Sequence, residues 1–594
     1  MKKLKCIIIL FIVIVATSCK KDVLDKKPLG LITDETVWKD QSLIESFLGQ
    51  VYFDCQFMEN DQPQMNGDVL NNWFGRLMIN EVSDECYTQW VPIWSSFKWG
   101  NLRINGGLLE WWEQSYRINR KINEFIERVP SAPVDDNFKK QRIAEARFLR
   151  AYNYFTLVKR YGGVPLITKL QNFDDPKEEL APARNKESEI YDFIISELDA
   201  IKDILPEQQG GDQIGRPSKY AALSLQSRAA LYAASIAKFG TVKLNGIIGI
   251  DAPKSAAYYQ KAYDAAKKIM GSNKFNLYDR SPNKAANFRN LFLDESANPE
   301  AIFTIIHNSS PREAGGLGTF YDYFQAPAPN FWGLGNQDMP YLEMAEEFEY
   351  IDGTSGKLDR VQIQQGLWTM GDLWKNKDPR FFGSIYTNET LWKGALLDYH
   401  KGLLLPNGSI QLDGSFQGQL ARGNQFLEGS SFGVLKYLDE SNSLLLSSGN
   451  SKTDYLVFRY AETLLNLAEA AFELGKTGEA LAAVNLVRTR AGIASLASID
   501  VTKIRHERKV ELFAEGHRYW DVRRWRTATT DLSINQSGIQ YIKDITTGKY
   551  KLVIRPNIDP ATTPPKFSEE NYYFPITVGR TGQNPNLVEN PGYQ

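Results

Sequence analysis

A helix, a glycine turn and a second helix late in the chain constrain the fold more than any other feature. Leu456, Tyr460, Leu464, Leu467, Ala471 and Leu474 recur at steps of four, four, three, four and three. Those steps put them on one face of a 3.6-residue helix. The pattern breaks at Gly475 and Gly478 and resumes with Ala480, Val484, Val487 and Ala491. A lone helix pair cannot bury both of its apolar faces, so such a unit needs stacked neighbours.

Candidate neighbours lie far upstream. From Thr33 to about Ile269 the pattern is mostly helical. Phe148, Tyr152, Phe155 and Val158 share one helix face. Ala221, Ala222, Ala229, Ala230, Ala233 and Ala234 crowd another helix, where small side chains allow close approach. Pairs are expected at 138–161 with 186–205 and at 218–238 with 255–271. The late unit resembles a tetratricopeptide repeat in its helix–turn–helix and small-residue pattern, without the Trp at the repeat start. The expectation is a mainly α fold of tetratricopeptide-like helix pairs, with a long loop-rich insertion containing short strands. Between about 281 and 450, Gly, Asn and Pro become frequent and runs such as AIFTII read as strands. The expected organisation is a leader at 1–18, a helical region at 19–280 and a C-terminal region at 281–594 that carries the insertion and the last helix pairs.

The N-terminus reads MKKLKCIIILFIVIVATSCKKD. Three lysines precede an apolar run from Cys6 to Ala16, too short to span a bilayer but right for a signal-peptide core. Ala16, Thr17 and Ser18 then lead to Cys19, as in a bacterial lipobox, although Leu is commoner at the position of Ala16. Cleavage there would leave Cys19 as the lipidated first residue, and several acyl chains on one cysteine hold firmly. Cys55 and Cys86 then remain, enough for at most one disulfide and too few for a cysteine zinc cluster.

Composition excludes more than it identifies. A net charge of −2 argues against a nucleic-acid binder. The histidines are His307, His400, His506 and His517. His506 and His517 on one unbroken helix would stand about 16 Å apart, and Val510 breaks the HExxH spacing. The glycine clusters at 315–318 and 333–335 lack the Lys-Ser/Thr of a P-loop and the dinucleotide fingerprint. There is no G-x-S-x-G elbow. No metal, cofactor or catalytic residue is therefore assigned, and the chain is read as not an enzyme.

Aromatic residues clustered in loops stand out instead. One stretch, WVPIWSSFKWGN, carries Trp90, Trp94, Trp99 and Asn101, with Asp68, Trp73 and Arg76 upstream. Another, FYDYFQAPAPNFWGLGN, carries Tyr321, Tyr323, Phe331, Trp332 and Asn336. Sugar rings have an apolar C–H face and a polar rim. A flat aromatic stacks on the face while Arg, Asp and Asn bond the hydroxyls. Asp68, Arg76, Trp94, Trp99, Asn101, Tyr321, Tyr323 and Trp332 are the candidate ligand residues. The bland alternative is that each Trp wedges a loop onto the helices.

Short motifs in a fixed order carry a family resemblance. They are SDE at 83–85, AEARFLRAYNYFTLVKRYGGVPLI at 144–167, IDGT at 351–354, DPRFFGSIY at 378–386 and FRYAETLLNLAEA at 458–470. IRHERKVELFAEGHRYWDVRRW at 504–525 and YYFPITVGRTGQNPNLVENPGY at 572–593 complete the set. With the lipobox at Cys19, the chain resembles the SusD/RagB family of outer-membrane nutrient-binding lipoproteins. The tail departs from the family pattern at Thr577 and Arg580. The resemblance implies four tetratricopeptide-like helix pairs, a lipid anchor on the outer face of the outer membrane, and a SusC-like TonB-dependent β-barrel transporter as partner. It implies non-catalytic capture of glycans for import, with membrane contact through the anchor alone. Three competing readings are a peptide ligand in the same import complex, a secreted glycoside hydrolase, and a scaffold that binds only proteins.

The segment EGHRYWDVRRW at 515–525 looks like an active site, with three arginines, two acids and a histidine. It is read as framework. Gly516 ends the helix carrying Glu507 and Glu511, the arginines pair with Asp521 and nearby acids, and Tyr519, Trp520 and Trp525 anchor the turn.

Overall fold

The computed structural model describes residues 34–61, 78–88, 98, 109–308, 310, 317–327, 336–412, 429–442, 449–559 and 565–593. The helices that build the body are α1 (Gln41–Asp54), α2 (Trp112–Arg128), α3 (Asp136–Tyr161), α4 (Glu187–Ile201), α5 (Lys219–Phe239) and α6 (Ser255–Gly271). A short α7 (Lys284–Leu291) and α8 (Tyr321–Gln325) follow, then α9 (Tyr460–Glu473), α10 (Thr477–Ala491), α11 (Val501–Glu511) and α12 (Arg518–Arg524).

The expected pairs are present. Asp135 caps α3 by accepting the Phe138 N–H, and α3 stops at Gly162 with φ +74°. Ser218 caps α5 through the Ala221 N–H. The α5 alanines are buried and admit α6, whose Ala262 and Ala266 are buried too. Packing runs without a gap from α2 to α3, α4, α5 and α6 and crosses directly to α9, which packs on α10. Helices from both ends of the sequence thus form one stack, as the unpartnered faces required. Gly475, at φ +76°, makes the turn between α9 and α10, and Gly492 ends α10 in the left-handed region.

Three expectations need correction. Leu456 lies in strand β7 (Tyr455–Arg459), not on a helix face. β7 pairs antiparallel with β2 (Ala301–Ile305), the AIFTII run, and α9 starts only at Tyr460. All five β7 residues are buried. A fully buried strand shows no alternation, so its apolar residues fell into phase with the helix that follows. Strands also occur outside 281–450. The longest among the described residues is β8 (Gly538–Asp544), which pairs antiparallel with β9 (Tyr550–Arg555). With β4 (Leu367–Trp368), β5 (His400–Leu404) and β6 (Ile410–Gln411) they form a five-stranded sheet in the order β4-β9-β8-β5-β6. Its hairpin turns at Gly548 (φ +71°), where the Asp544 carboxylate accepts the Thr547 N–H and hydroxyl.

Gly516 is the third. α11 ends at Glu511, so Gly516 does not cap it. It holds a left-handed turn (φ +77°) against Asn60, whose Oδ1 would stand 2.8 Å from an added Cβ. Gly516→Ala is expected to cost about 1–2 kcal/mol, from left-handed backbone strain plus that contact. Urea unfolding with an unchanged midpoint would contradict this.

Candidate functional site

Two short strands decide where the aromatic segments begin. β1 (Cys86–Thr88) runs into the 89–108 stretch that holds Trp90, Trp94, Trp99 and Asn101. β3 (Asp338–Pro340) directly follows the segment that holds Trp332. They pair antiparallel, with Cys86 opposite Pro340, Tyr87 opposite Met339 and Thr88 opposite Asp338. The chain ends from which both aromatic segments leave are therefore hydrogen-bonded neighbours, although far apart in sequence. α8 is tied to the same place: the Asp338 N–H donates to Gln325 Oε1 at 3.0 Å and the Gln337 N–H to the Phe324 carbonyl at 3.0 Å.

Asp68, Arg76, Trp94, Trp99, Asn101 and Trp332 lie outside the described residues, as does Cys19. Tyr321 and Tyr323 lie within them, on α8. Tyr321 is fully buried. Its hydroxyl donates to the Lys436 carbonyl, and its ring meets Tyr437 edge-on. It offers no exposed face for stacking, which corrects its place among the ligand candidates. Helical spacing turns residues two apart to different sides, so Tyr323 keeps a half-exposed ring, packed against Phe320 and Phe324. Asp322, between them, is buried. It accepts the Asp439 N–H and the Asn442 amide, and burial pushes its carboxyl up to about 6.

Lys98 is a residue of this site that sequence reasoning missed. It sits in WVPIWSSFKWGN, next to Trp99, and is buried. Its Nζ pairs with Asp559 at 3.1 Å and donates to the Cys86 carbonyl at 3.2 Å and to the Tyr341 hydroxyl. Burying an ammonium requires such compensation, so this nest fixes the chain at Lys98 against β1. A lysine between tryptophans gave no periodic signal.

Acids are concentrated under the same strands. Asn80 Nδ2 donates to Asp338 Oδ2 at 2.8 Å, and burial raises the Asp338 carboxyl, which faces Glu81. Asp84 behaves oppositely. Burial acts to raise it, but the Arg518 guanidinium and Lys509 ammonium hold it well below the usual carboxylate range. Its neighbour Glu85 has, among the described residues, no hydrogen-bond partner for either carboxyl oxygen. Burial, reinforced by the Asp84 charge, pushes Glu85 up to about 8. Cys55 and Cys86 are free and buried.

EGHRYWDVRRW proves to be framework. Arg518 makes a fork to Asp84, tying this segment to the SDE motif. Arg524 makes a fork to Glu469 on α9 and donates to Ser235 Oγ on α5 at 2.7 Å. The Trp525 indole N–H donates to the same carboxylate at 2.9 Å. Asp521 accepts from Arg508 and Arg524. Arg523 departs from the expected pairing with acids. It donates to the Asn571 and Tyr572 carbonyls and lies over Tyr519, Trp520 and Phe574. Beside it, Glu515 accepts from Arg459 and Lys436, while Glu511 accepts from Arg380, Arg459 and Arg490. All of these side chains except the partly exposed Arg518 are buried.

The comparisons with known proteins agree with this framework. A family model described as the SusD family matches residues 299–593, and one described as starch-binding associating with outer membrane matches residues 22–231. This chain belongs to the SusD family. SusD-like protein P38 of Formosa agariphila is 24% identical over 574 residues, covering 89% of this chain and 93% of that one. The starch-binding protein SusD of Bacteroides thetaiotaomicron is 24% identical over 573 residues, covering 90% and 88%. A solved SusD-like protein from Bacteroides fragilis superposes with a TM-score of 0.72 at 22% identity, covering 96% of this chain and all of the other. Among the described residues, no helix of this SusD-family chain is long and apolar enough to cross a membrane.

Proposed function

We propose that this SusD-family protein is a non-catalytic, lipid-anchored protein of the outer membrane that binds glycans at the cell exterior and passes them to a SusC-like TonB-dependent transporter. The pairing of β1 with β3 carries the reading, because it joins the bases of two aromatic-rich segments, both of which carry Trp and Asn. Aromatic faces with amide and guanidinium donors are what a sugar's C–H face and hydroxyl rim require. A relative named as starch-binding and a family model described as starch-binding support the ligand class and the outer-membrane location. Asp68, Arg76, Trp94, Trp99, Asn101, Tyr323 and Trp332 are the proposed contacts, and Cys19 the lipidated residue.

The test is calorimetric titration of soluble protein beginning after Cys19, against plant, host and microbial glycans beside a peptide mixture. Saturable glycan binding is expected. Trp99→Ala or Trp332→Ala is expected to weaken it by about tenfold or more, the loss of one stacking platform. Binding of peptides alone would move the ligand class to peptide. Release of shortened glycan by purified protein would overturn the non-catalytic role. Failure to co-purify with the transporter from membranes would overturn the partner.

A further inference from the structure

A small cavity lies where early and late parts of the chain meet. Its volume is about 30 Å³, room for one or two water-sized bodies. Asn60, Asp61, α3 and α5 wall it on one side, and β7 and the turn at Gly516 on the other. The backbone bends around it. Asn60, Asp61 and Gly516 all hold left-handed φ, at +51°, +52° and +77°.

The hydrogen-bonding groups on its wall are unbalanced. The carboxylates are already taken: Asp61 accepts from Arg160 and Lys159, and Glu515 from Arg459 and Lys436. What remains is mostly donors. An ammonium carries three N–H groups. Lys159 gives one to Asp61 and lies over the Trp520 ring, and the other two meet no acceptor among the described residues. Arg508 lies 3.3 Å from His517 Nδ1. A guanidinium only donates, so the imidazole proton sits on Nε2, which also meets no acceptor among the described residues. The Tyr152 hydroxyl accepts from Arg228 at 3.3 Å. Like the Tyr232 hydroxyl beside it, it donates to none of the described residues. Asn60 is buried with its Oδ1 against Gly516, and its amide N–H groups have no partner among the described residues.

Charge points the same way. Burial first, then Arg228, Arg508, Arg459 and Lys159, hold the His517 imidazole neutral. Water would bring as many donors as acceptors and leave the surplus of donors in place. An anion only accepts, and buried donors need acceptors.

We propose that this cavity is a structural site for one monatomic anion of the chloride class, held by Lys159 Nζ, His517 Nε2 and the hydroxyls of Tyr152 and Tyr232. At about 30 Å³ it has no room for phosphate or a sugar. The ion joins α3 and α5 of the early chain to the Gly516 turn of the late chain. The site shares no lining residue with β1, β3 or α8, so it stands whatever ligand the aromatic segments take.

The experiment follows the melting temperature of the soluble protein in sodium chloride, sodium bromide and sodium methanesulfonate at one ionic strength. The halides are expected to raise it saturably over methanesulfonate, which is too large to enter. Lys159→Met is expected to abolish the difference. Tyr232→Phe, which keeps the ring, is expected to weaken the halide about tenfold, the loss of one hydrogen bond to a charged group. Crystals grown in bromide are expected to show an anomalous peak within hydrogen-bonding reach of Lys159 Nζ and His517 Nε2. Equal melting in the three salts, a rise that does not saturate, or a halide affinity undiminished in Tyr232→Phe would overturn the proposal. Bromide at surface sites only would overturn it as well and leave the cavity to water. If Lys159→Met does not fold, Tyr232→Phe and the bromide peak decide.

Discussion

Arg524→Ala is expected to lower stability by about 3–5 kcal/mol, the cost of removing one partner from a buried ion pair. The guanidinium is fully enclosed, forks onto Glu469, and bonds Asp521 and Ser235. Its loss leaves Glu469 charged and buried, with the Trp525 indole N–H still donating to it. It also removes one tie between α5 and α9, leaving the fork from Arg228 of α5 to Glu462 of α9. A domain holds only about 5–15 kcal/mol in total, so yield and denaturant midpoint should both drop. Ligand affinity of the surviving folded fraction should not change, because Arg524 touches scaffold alone. A clean loss of glycan affinity at an unchanged melting temperature would return EGHRYWDVRRW to the list of binding residues. Arg524→Lys should recover little, since an ammonium cannot reproduce the fork.

Glu85→Gln is expected to remove much of the protein's loss of stability between about pH 5 and pH 8. The Glu85 carboxyl is raised from 4.5 to about 8, so the folded state keeps a proton that the unfolded chain releases. Where the folded state binds more protons, stability falls as pH rises. The window therefore opens near pH 4.5 and closes near pH 8, and across it the wild type gives up on the order of 5 kcal/mol. Asp84 works in the opposite sense and in a different window. Arg518 and Lys509 hold it low against burial, so its contribution is complete above about pH 4 and is lost only in acid. A glutamine keeps the shape and cannot ionise, so its melting temperature should be flatter across the window. Parallel pH profiles for wild type and variant would refute the assignment to Glu85. The site matters because Glu85 immediately precedes β1, and its carbonyl accepts the Tyr341 N–H just after β3. The same pH rise is expected to loosen the base from which both aromatic segments leave.

The helix pairs were legible because amphipathic periodicity is a local property. Phe148, Tyr152, Phe155 and Val158 stand on one face whatever they pack against, and the alanines of α5 announce close approach before the neighbour is known. The same rule failed at Leu456, where a fully buried strand imitates a helix face. The β8–β9 hairpin carried a readable signal in its β-branched and aromatic residues running into the Thr-Thr-Gly turn, a signal of another kind than helical periodicity. At the candidate site, residue type suggested aromatic stacking, but spacing could not tell Tyr321 from Tyr323. Burial separates them, and burial belongs to the surroundings of a helix.

The sequence by itself determined which segments are helical, where they break, and that early and late pairs must stack, because unsatisfied apolar faces leave no other stable solution. It also supplied the family and the framework reading of EGHRYWDVRRW. Only the tertiary structure decided partners. It joined β1 to β3, sent Arg518 to Asp84, put Lys98 onto Asp559, and left Glu85 without a hydrogen bond to its carboxyl among the described residues. The physical reason is range. Periodicity and turn chemistry act over a few residues, whereas the charge balance of a buried carboxyl depends on whichever distant side chains the packing brings within a few ångströms.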